Sequence, residues 1–354
     1  MNELFEMNLQ LFADAGTLVN TTQNFVNAYT GEAQEFDDNH SLSPTMKTYY
    51  EKDLLENTTP KLVFTQLGKK ESLPANNGRT KEWRRPNTLP LADILVEGVI
   101  PEGKKMGMVA LTSTLTQRGM YVTISDVLEK RAIDPQVLIA SKELSRSAGM
   151  SMDVFTRNEL MTGTNVMFCD TVNADGTTTE VVDYDEMSLE NNRLTPDMVL
   201  QAKTFLEKCD APEIDGSYVA VIHPSAAYDI MRSPDWVAYH QYASVKHIFE
   251  GELGELYGVR FLKSNNAKIT KRTLSDGEGA VYSTLFFGED AFGVIDPEEG
   301  GLEMIVKDRG EIGGPLEQFS TAGYKFEHAA KILYPERMIC VESCSKYSAK
   351  DEEN

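Results

Sequence analysis

The tripeptide His223-Pro224-Ser225 has the residue types of a serine hydrolase. In such enzymes a histidine takes the proton of a serine hydroxyl and a carboxylate orients the histidine; Asp229 and Asp235 follow nearby. The chain has no Gly-x-Ser-x-Gly motif, however, and a serine at the start of a predicted helix normally caps backbone N–H groups. We therefore predict no catalytic residue and a protein that is not an enzyme.

Metal-ligating residue types are present but badly spaced. Cys340 and Cys344 lack the two-residue spacing of a zinc site and no second pair follows them. His240 and His247 could share a helical face, yet no third ligand accompanies them. The carboxylate pairs Asp37-Asp38 and Glu298-Glu299 lie in loop-like segments without a calcium-loop pattern. We predict no metal site, and the four cysteines indicate buried or half-buried thiols in a reducing compartment.

No cofactor site is predicted either. The spacing of Gly251 to Gly258 is unlike that of a dinucleotide-binding loop, and the chain contains no Walker motif. The net charge of −21 and the pI of about 4.7 exclude a protein that grips nucleic acid through its phosphates. A length of 354 residues predicts two packed domains with extensions.

One segment departs from this acidic composition. Residues 61–105 contain nine Lys and Arg against five Asp and Glu, a local charge of +4. Side chains alternate after Asn76-Asn77-Gly78, with Lys81, Trp83 and Arg85 facing one way, which predicts a long polar β-hairpin. Such a hairpin is marginal alone, so we expect it to lie on the acidic surface of a second copy. The expected contact residues are Lys69, Lys70, Arg79, Lys81, Trp83, Arg84 and Arg85.

The elements around this hairpin follow from caps and periodicity. Residues 1–43 contain no Lys or Arg and predict an extended arm, and Ser43-Pro44 begins a short helix. Residues 106–124 alternate as a strand that returns beside the hairpin. Residues 134–160 predict a long helix, because apolar side chains recur at helical spacing; it is either an ordinary core helix or a longer structural spine.

The rest of the chain predicts a compact domain with mixed helices and short strands. Helices are expected at Thr195–Lys208 and Pro224–Met231, and strands at Tyr218–Ile222, Leu253–Leu262 and Tyr282–Ile295, the last broken at Gly288 and Gly293. One unusually long strand is predicted over Gln318–Leu333, followed by a final strand from Met338. The fold class is therefore α+β. Glu3 and Glu6 argue against a signal peptide, and no membrane span is predicted.

Several local motifs occur in a characteristic order. They are Tyr49-Tyr50 through Pro60-Lys61-Leu62-Val63-Phe64, Leu95-Val96-Glu97-Gly98-Val99-Ile100-Pro101, Gly119-Met120-Tyr121-Val122-Thr123-Ile124-Ser125-Asp126, Phe287-Gly288-Glu289-Asp290-Ala291-Phe292-Gly293, Pro315-Leu316 and Gly323-Tyr324-Lys325. Together with the opening Met7-Asn8-Leu9-Gln10-Leu11-Phe12-Ala13, they resemble the major capsid proteins of tailed double-stranded DNA bacteriophages over nearly the whole chain. The resemblance is nearest to the branch typified by coliphage N4, with two departures at Gly314 and Tyr324, where that pattern has Asp and Trp.

The resemblance implies the HK97-like capsid shell fold. It divides the chain into an N-terminal arm at 1–60, an extended loop at 61–118, a peripheral domain at 119–185 and 305–333 with its spine helix at 134–160, and an axial domain at 186–304 and 334–350. It also implies that the basic hairpin crosses an adjacent subunit, as the charge distribution already suggested. Some family members covalently join a lysine of this loop to an asparagine of a neighbour; Lys69 and Lys70 lie in a comparable region or are simply solvated.

The implied function is that of a structural major capsid protein that self-assembles, through pentamers and hexamers, into an icosahedral shell. The implied partners are portal and scaffold proteins, a decoration protein and packaged double-stranded DNA bound without sequence specificity. The implied location is the virion capsid, assembled in the host bacterial cytoplasm, with no membrane contact. An encapsulin-type nanocompartment shell is the alternative, because encapsulins share the fold.

Overall fold

The computed structural model describes residues 62–74, 78–94, 97, 100, 103–131, 136–173, 177–237, 252–297, 301–312 and 316–354. The predicted arm, the helix after Pro44, His240, His247 and both carboxylate pairs lie outside these residues. The helices are α1 (Phe64–Leu67), α2 (Asp126–Arg131), α3 (Gln136–Leu160), α4 (Pro196–Lys208), α5 (Pro224–Met231) and α6 (Arg309–Ile312). The strands are β1 (Lys69–Leu73), β2 (Thr80–Pro86), β3 (Met108–Thr114), β4 (Thr116–Ser125), β5 (Val166–Phe168), β6 (Thr171–Val172), β7 (Thr178–Thr179), β8 (Tyr218–Ile222), β9 (Glu252–Leu256), β10 (Val259–Lys263), β11 (Ile269–Leu274), β12 (Gly277–Phe287), β13 (Phe292–Pro297), β14 (Glu303–Lys307), β15 (Phe319–His328), β16 (Ala330–Ile332) and β17 (Met338–Ser343).

The chain divides into two compact units. The first takes its described residues from Thr116–Met152 and Pro297–His328, and the second comprises Val63–Leu115, Asp153–Asp296 and Ala329–Asn354. Both contain helices and strands, so the α+β class and the mixed architecture predicted from the sequence are confirmed.

A three-stranded sheet with the order β14-β15-β4 forms the centre of the first unit. β15 pairs antiparallel with β4 over ten residues, from Phe319 opposite Ser125 to His328 opposite Thr116. Two glycines lie in this pairing because the backbones come too close for a side chain. A Cβ at Gly119 would lie 2.5 Å from the carbonyl oxygen of Tyr324.

The second unit is built on a larger sheet with the strand order β5-β17-β12-β8-β10-β9, to which β11 adds beside β12. Every residue of β8 and β17 is buried, as expected for central strands covered on both faces. α4 packs its buried side chains against this sheet, and the Thr195 hydroxyl caps the helix by accepting from the Met198 N–H. The predictions of α4, α5 and β8 are confirmed.

Helix α3 confirms the long helix predicted at 134–160 over residues 136–160. Its 25 residues extend about 37 Å at 1.5 Å per residue. The buried face is more polar than the periodicity suggested. Ser141, Ser145, Asp153, Thr156 and Arg157 are buried on it, and the hydroxyl of Ser145 donates back to the Ser141 carbonyl.

Three predictions about strands are corrected. The strand expected over Gln318–Leu333 ends at His328, and β16 then joins a different sheet, with the order β1-β13-β16. Apolar residues recur past His328, at Ala329 and Ile332, but the sequence pattern does not reveal which strand supplies the hydrogen bonds. Gly293 lies inside β13 rather than breaking it, and β1 and β2, on either side of Gly78, pair with β13 and β3 rather than with each other.

His328 is a buried titratable group at the end of β15. Burial, reinforced by the positive charge of Arg118, lowers the pKa of its imidazole from 6.5 to about 4. The folded state therefore favours the neutral imidazole. The contribution of His328 to the free energy of unfolding is fully present above pH 6.5 and is lost as the pH falls towards 4.

Replacing Gly119 by alanine should test the close β4–β15 approach. We expect Gly119→Ala to lower the free energy of unfolding by about 1–3 kcal/mol, because a backbone carbonyl must move to admit the methyl group. Chemical denaturation followed by circular dichroism measures the difference. Gly301→Ala is the matched control, since a Cβ there meets nothing within 4 Å. Equal unfolding midpoints for the two variants would contradict the close approach.

Replacing His328 by glutamine should make stability less dependent on pH. Between pH 7 and 5.5 the free energy of unfolding of the wild-type protein should fall by about 1 kcal/mol more than that of His328→Gln. The reason is that the imidazole binds a proton in the unfolded state but stays neutral in the folded state. Thermal unfolding of both proteins across this range measures the difference. Parallel pH profiles would show that His328 is not held neutral by the fold.

Candidate subunit-contact surface

The basic segment forms a hairpin, but from β2 and β3 rather than from the strands on either side of Gly78. The two strands pair antiparallel from Thr80 opposite Thr114 to Pro86 opposite Met108, which confirms a return strand after residue 106. The single strand expected over 106–124 is corrected, because it divides at Leu115 and β4 pairs with β15. Exposed and covered side chains alternate along both strands. The alternation places Trp83 on the covered face, opposite Leu111.

This covered face lies on the hairpin's own subunit. Trp83 is only 6% exposed and forms a cluster with five other buried residues of the second unit, namely Leu73, Leu115, Ile295, Ala329 and Leu333. Gly293 brings the β13 backbone close to the indole, because a Cβ there would lie 3.2 Å from the ring. Trp83, one of the expected contact residues, therefore has little surface left for a second copy.

Most of the expected cationic contacts also have partners within the chain. Arg79 donates to the Leu115 carbonyl at 3.3 Å, and Lys70 forms no ion pair with the described residues. The hydrogen bond from Lys69 to Asp290 raises the pKa of the lysine. The four ion pairs are Lys69–Asp290 at 3.0 Å, Lys81–Glu71 at 3.3 Å, Arg84–Glu82 at 2.6 Å and Arg85–Glu336 at 3.1 Å.

Beyond the paired strands, the hairpin continues into a segment that we call the tip loop, residues 87–107. The Asn87 N–H donates to the Gly107 carbonyl at its base. Large aliphatic side chains project from its described residues into solvent: Leu91 is 93% exposed, Ile94 95% and Ile100 93%. Three large aliphatic side chains within ten residues are thus nearly fully exposed, which makes the tip loop a candidate contact surface.

A buried carboxylate on α3 holds the segment that leads into the hairpin. Asp153 accepts the N–H groups of Val63 at 2.9 Å and Phe64 at 2.8 Å, and its second oxygen accepts from Asn266 at 3.1 Å. Burial raises the pKa of Asp153, although these hydrogen bonds oppose the rise. Phe64 itself is buried in the core of the second unit.

One helical turn further on, Arg157 is also buried. Its guanidinium donates to the Asn266 carbonyl at 2.6 Å and to the side-chain oxygen of Asn354 at 2.9 Å. Desolvation lowers the pKa of Arg157, and the nearby Asp153 opposes that effect. The end of α3 therefore binds both the start of the hairpin segment and the last residues of the chain through polar contacts.

The geometry around Ser225 does not form a nucleophile and base. His223, not Ser225, caps α5, because its Nδ1 accepts the Ser225 N–H at 3.2 Å. The Ser225 hydroxyl donates to Asp351 at 3.1 Å, and the Tyr282 hydroxyl donates to the same oxygen at 2.6 Å. The prediction that Ser225 caps the helix is thus corrected. These contacts anchor the segment around Asp351 to the second unit.

Metal-binding and membrane-spanning features are absent from the described parts of the chain. No group of three His, Cys, Asp or Glu is placed to hold a metal ion there. Cys169, Cys340 and Cys344 are buried, and desolvation raises the pKa of each thiol. Across the described ranges, no helix is both long and apolar enough to cross a membrane.

No protein-family model matches the sequence, and no curated protein matches it either. Solved structures do match. The capsid of cyanophage P-SCSP1u is 14% identical with a TM-score of 0.57, over 90% of this chain and 97% of that chain. The cyanophage Pam1 capsid is 12% identical with a TM-score of 0.58, over 93% and 100%. The capsid of Ralstonia phage GP4 is 14% identical with a TM-score of 0.55, over 95% and 100%.

These likenesses cover 90% or more of each chain. At such low identity they establish the fold alone, and the N4-type branch stays a prediction. The chain has the HK97-like fold found in the capsid proteins of tailed phages.

Proposed function

We propose that this protein is the major capsid protein of a tailed bacteriophage and that its copies self-assemble into an icosahedral shell around double-stranded DNA. The observation that carries the proposal is the exposure of the aliphatic side chains of the tip loop in a single copy of the chain. The chain also has the fold of phage capsid proteins, in which many copies pack together. A structural role without catalysis agrees with the Ser225 geometry, in which the serine proton is directed to Asp351 rather than to His223.

The tip loop would lie across a neighbouring copy, while the base of the hairpin stays on its own subunit. Its residues supply the apolar part of the contact. Among the basic contact residues, Lys70 and Arg79 are the strongest candidates for ion pairs between copies, because they form none with the described residues of their own chain. The ion pairs of Lys69, Lys81, Arg84 and Arg85 would be exchanged or extended in the shell.

The remaining predicted roles follow from the same assembly. The arm at 1–60 would contribute contacts between copies, the first unit would correspond to much of the peripheral domain, and the larger sheet would belong to the axial domain around five-fold and six-fold positions. A net charge of −21 favours a wall that does not adhere to packaged DNA. Portal, scaffold and decoration proteins would be partners, with assembly in the host cytoplasm.

Electron microscopy of the purified protein, expressed alone and with its neighbouring genes, tests the function. Closed shells, or rings of five and six subunits, would support assembly. Shells of phage size that enclose no enzyme would favour a capsid over the encapsulin alternative. A monodisperse monomer under every condition would overturn the proposal.

Aspartate at two tip-loop positions should abolish particles. We expect the double variant Leu91→Asp, Ile94→Asp to lose about 2 kcal/mol of association free energy for each apolar side chain that is no longer buried. Its subunits should remain soluble and folded. Sedimentation velocity measures assembly, and circular dichroism checks the fold. Leu91→Met with Ile94→Val is the matched control, because it keeps both positions apolar and should still form particles. Normal assembly of the aspartate variant would exclude the tip loop as a contact surface.

Charge reversal at Lys70 and Arg79 should weaken assembly in a salt-dependent way. Two exposed ion pairs together contribute about 1 kcal/mol, so Lys70→Glu with Arg79→Glu should lower the association constant about five-fold at low salt. The difference should shrink at high salt because screening weakens exposed pairs. Light scattering during assembly measures it. Lys263→Glu with Lys271→Glu makes the same change in net charge at other exposed positions, and an equal effect from that control would remove the specific role.

A further inference from the structure

A groove of about 610 Å³ opens beside β5 in the second unit. β5 is the outer strand of the larger sheet, with β17 as its partner. The groove is lined on its apolar side by Met167, Phe168, Phe205 and Ile339. Val182 also lines it, yet 69% of that side chain is exposed to solvent. A groove of this size, lined by both apolar and polar side chains, is suited to receive side chains of another molecule.

Two carboxylates share the groove with these apolar side chains. Asp170 and Glu180 line the groove, and Gln201 donates to Asp170 at 3.3 Å and to Asp197 at 2.9 Å. Residues 158–192, which supply most of the lining, contain eight Asp and Glu and no Lys or Arg. The groove therefore favours an occupant that presents a positive charge next to an apolar side chain.

The tip loop carries such a pair. Lys105 forms no ion pair with any described residue, whereas its neighbour Lys104 pairs with Asp93 at 2.6 Å. The next residue, Met106, is 60% exposed, and Met108 beyond the tip loop is 59% exposed. Methionine is flexible and adapts to irregular apolar grooves. None of the described tip-loop residues lines the groove of its own chain.

We propose that the groove beside β5 is the receptor for the tip loop of a second copy, with Met106 on the apolar lining and Lys105 next to Asp170 and Glu180. The inference rests on the proposed function and names the surface of the neighbour that the tip loop contacts. A second copy is the occupant because every subunit brings one groove and one tip loop, so the contact repeats throughout a closed assembly without another protein.

Disulfide trapping between two differently tagged chains tests the contact. One chain carries Met106→Cys and the other Val182→Cys, both with the half-buried Cys209 replaced by serine. Because a disulfide requires Cα atoms within about 7 Å, oxidation of assembled, co-expressed chains should give a covalent dimer containing both tags. Met106→Cys paired with Glu255→Cys, an exposed position away from the groove, is the matched control and should give none.

A charge exchange tests the polar half of the contact. Lys105→Glu and Glu180→Lys should each lower the yield of trapped dimer about three-fold, and the double variant should restore it, because the ion pair is reversed rather than lost. Particles without a mixed-tag dimer would overturn the groove contact and leave the capsid function intact. Absence of any assembly would overturn both, and trapping by an added basic protein alone would assign the groove to a different partner and refute the inference.

Discussion

The contact between Trp83 and the body of its own subunit is the interaction on which the candidate assembly surface depends. A two-stranded hairpin has only one face that it can bury, and an isolated one is at best marginally stable. Burial of Trp83 against the β13 backbone and Leu333 supplies the missing layer. The base of the hairpin is thereby fixed, and the exposed side chains of the tip loop are presented from a defined place.

A second constraint lies where the chain enters this hairpin. The carboxylate of Asp153 accepts hydrogen bonds from the N–H groups of Val63 and Phe64, in place of the water that would bind them in the unfolded chain. Without it, these buried N–H groups would have no partner next to the buried ring of Phe64. A buried carboxylate is costly unless several donors surround it, and Asp153 has three donors from two segments of the chain. The long helix therefore has a polar end with a structural task, which explains why its buried face is not simply apolar.

Periodicity allowed the long helix, the existence of β2 and β3 and the α+β character to be predicted, because each is encoded in neighbouring residues. It could not reveal partners distant in sequence. The change of sheet after His328 depends on which strand lies alongside. The cap at His223 depends on where its Nδ1 lies relative to the Ser225 N–H, which the residue type does not reveal. The groove beside β5 was missed for the same reason, since its lining is drawn from four separate segments.

Charge counting located the candidate surface but overstated the part that charge plays there. The basic segment has a local charge of +4, yet cations such as Lys81 and Arg85 are already paired with carboxylates of their own subunit. Exchanging an exposed ion pair within one copy for an ion pair between copies contributes little to the free energy of association. Burying an exposed aliphatic side chain such as Leu91 contributes about 2 kcal/mol. In the proposed assembly, apolar burial by the tip loop would therefore be the main driving force for association. Lys70, Arg79 and Lys105, which form no ion pair with the described residues of their own chain, would determine where a neighbouring copy binds.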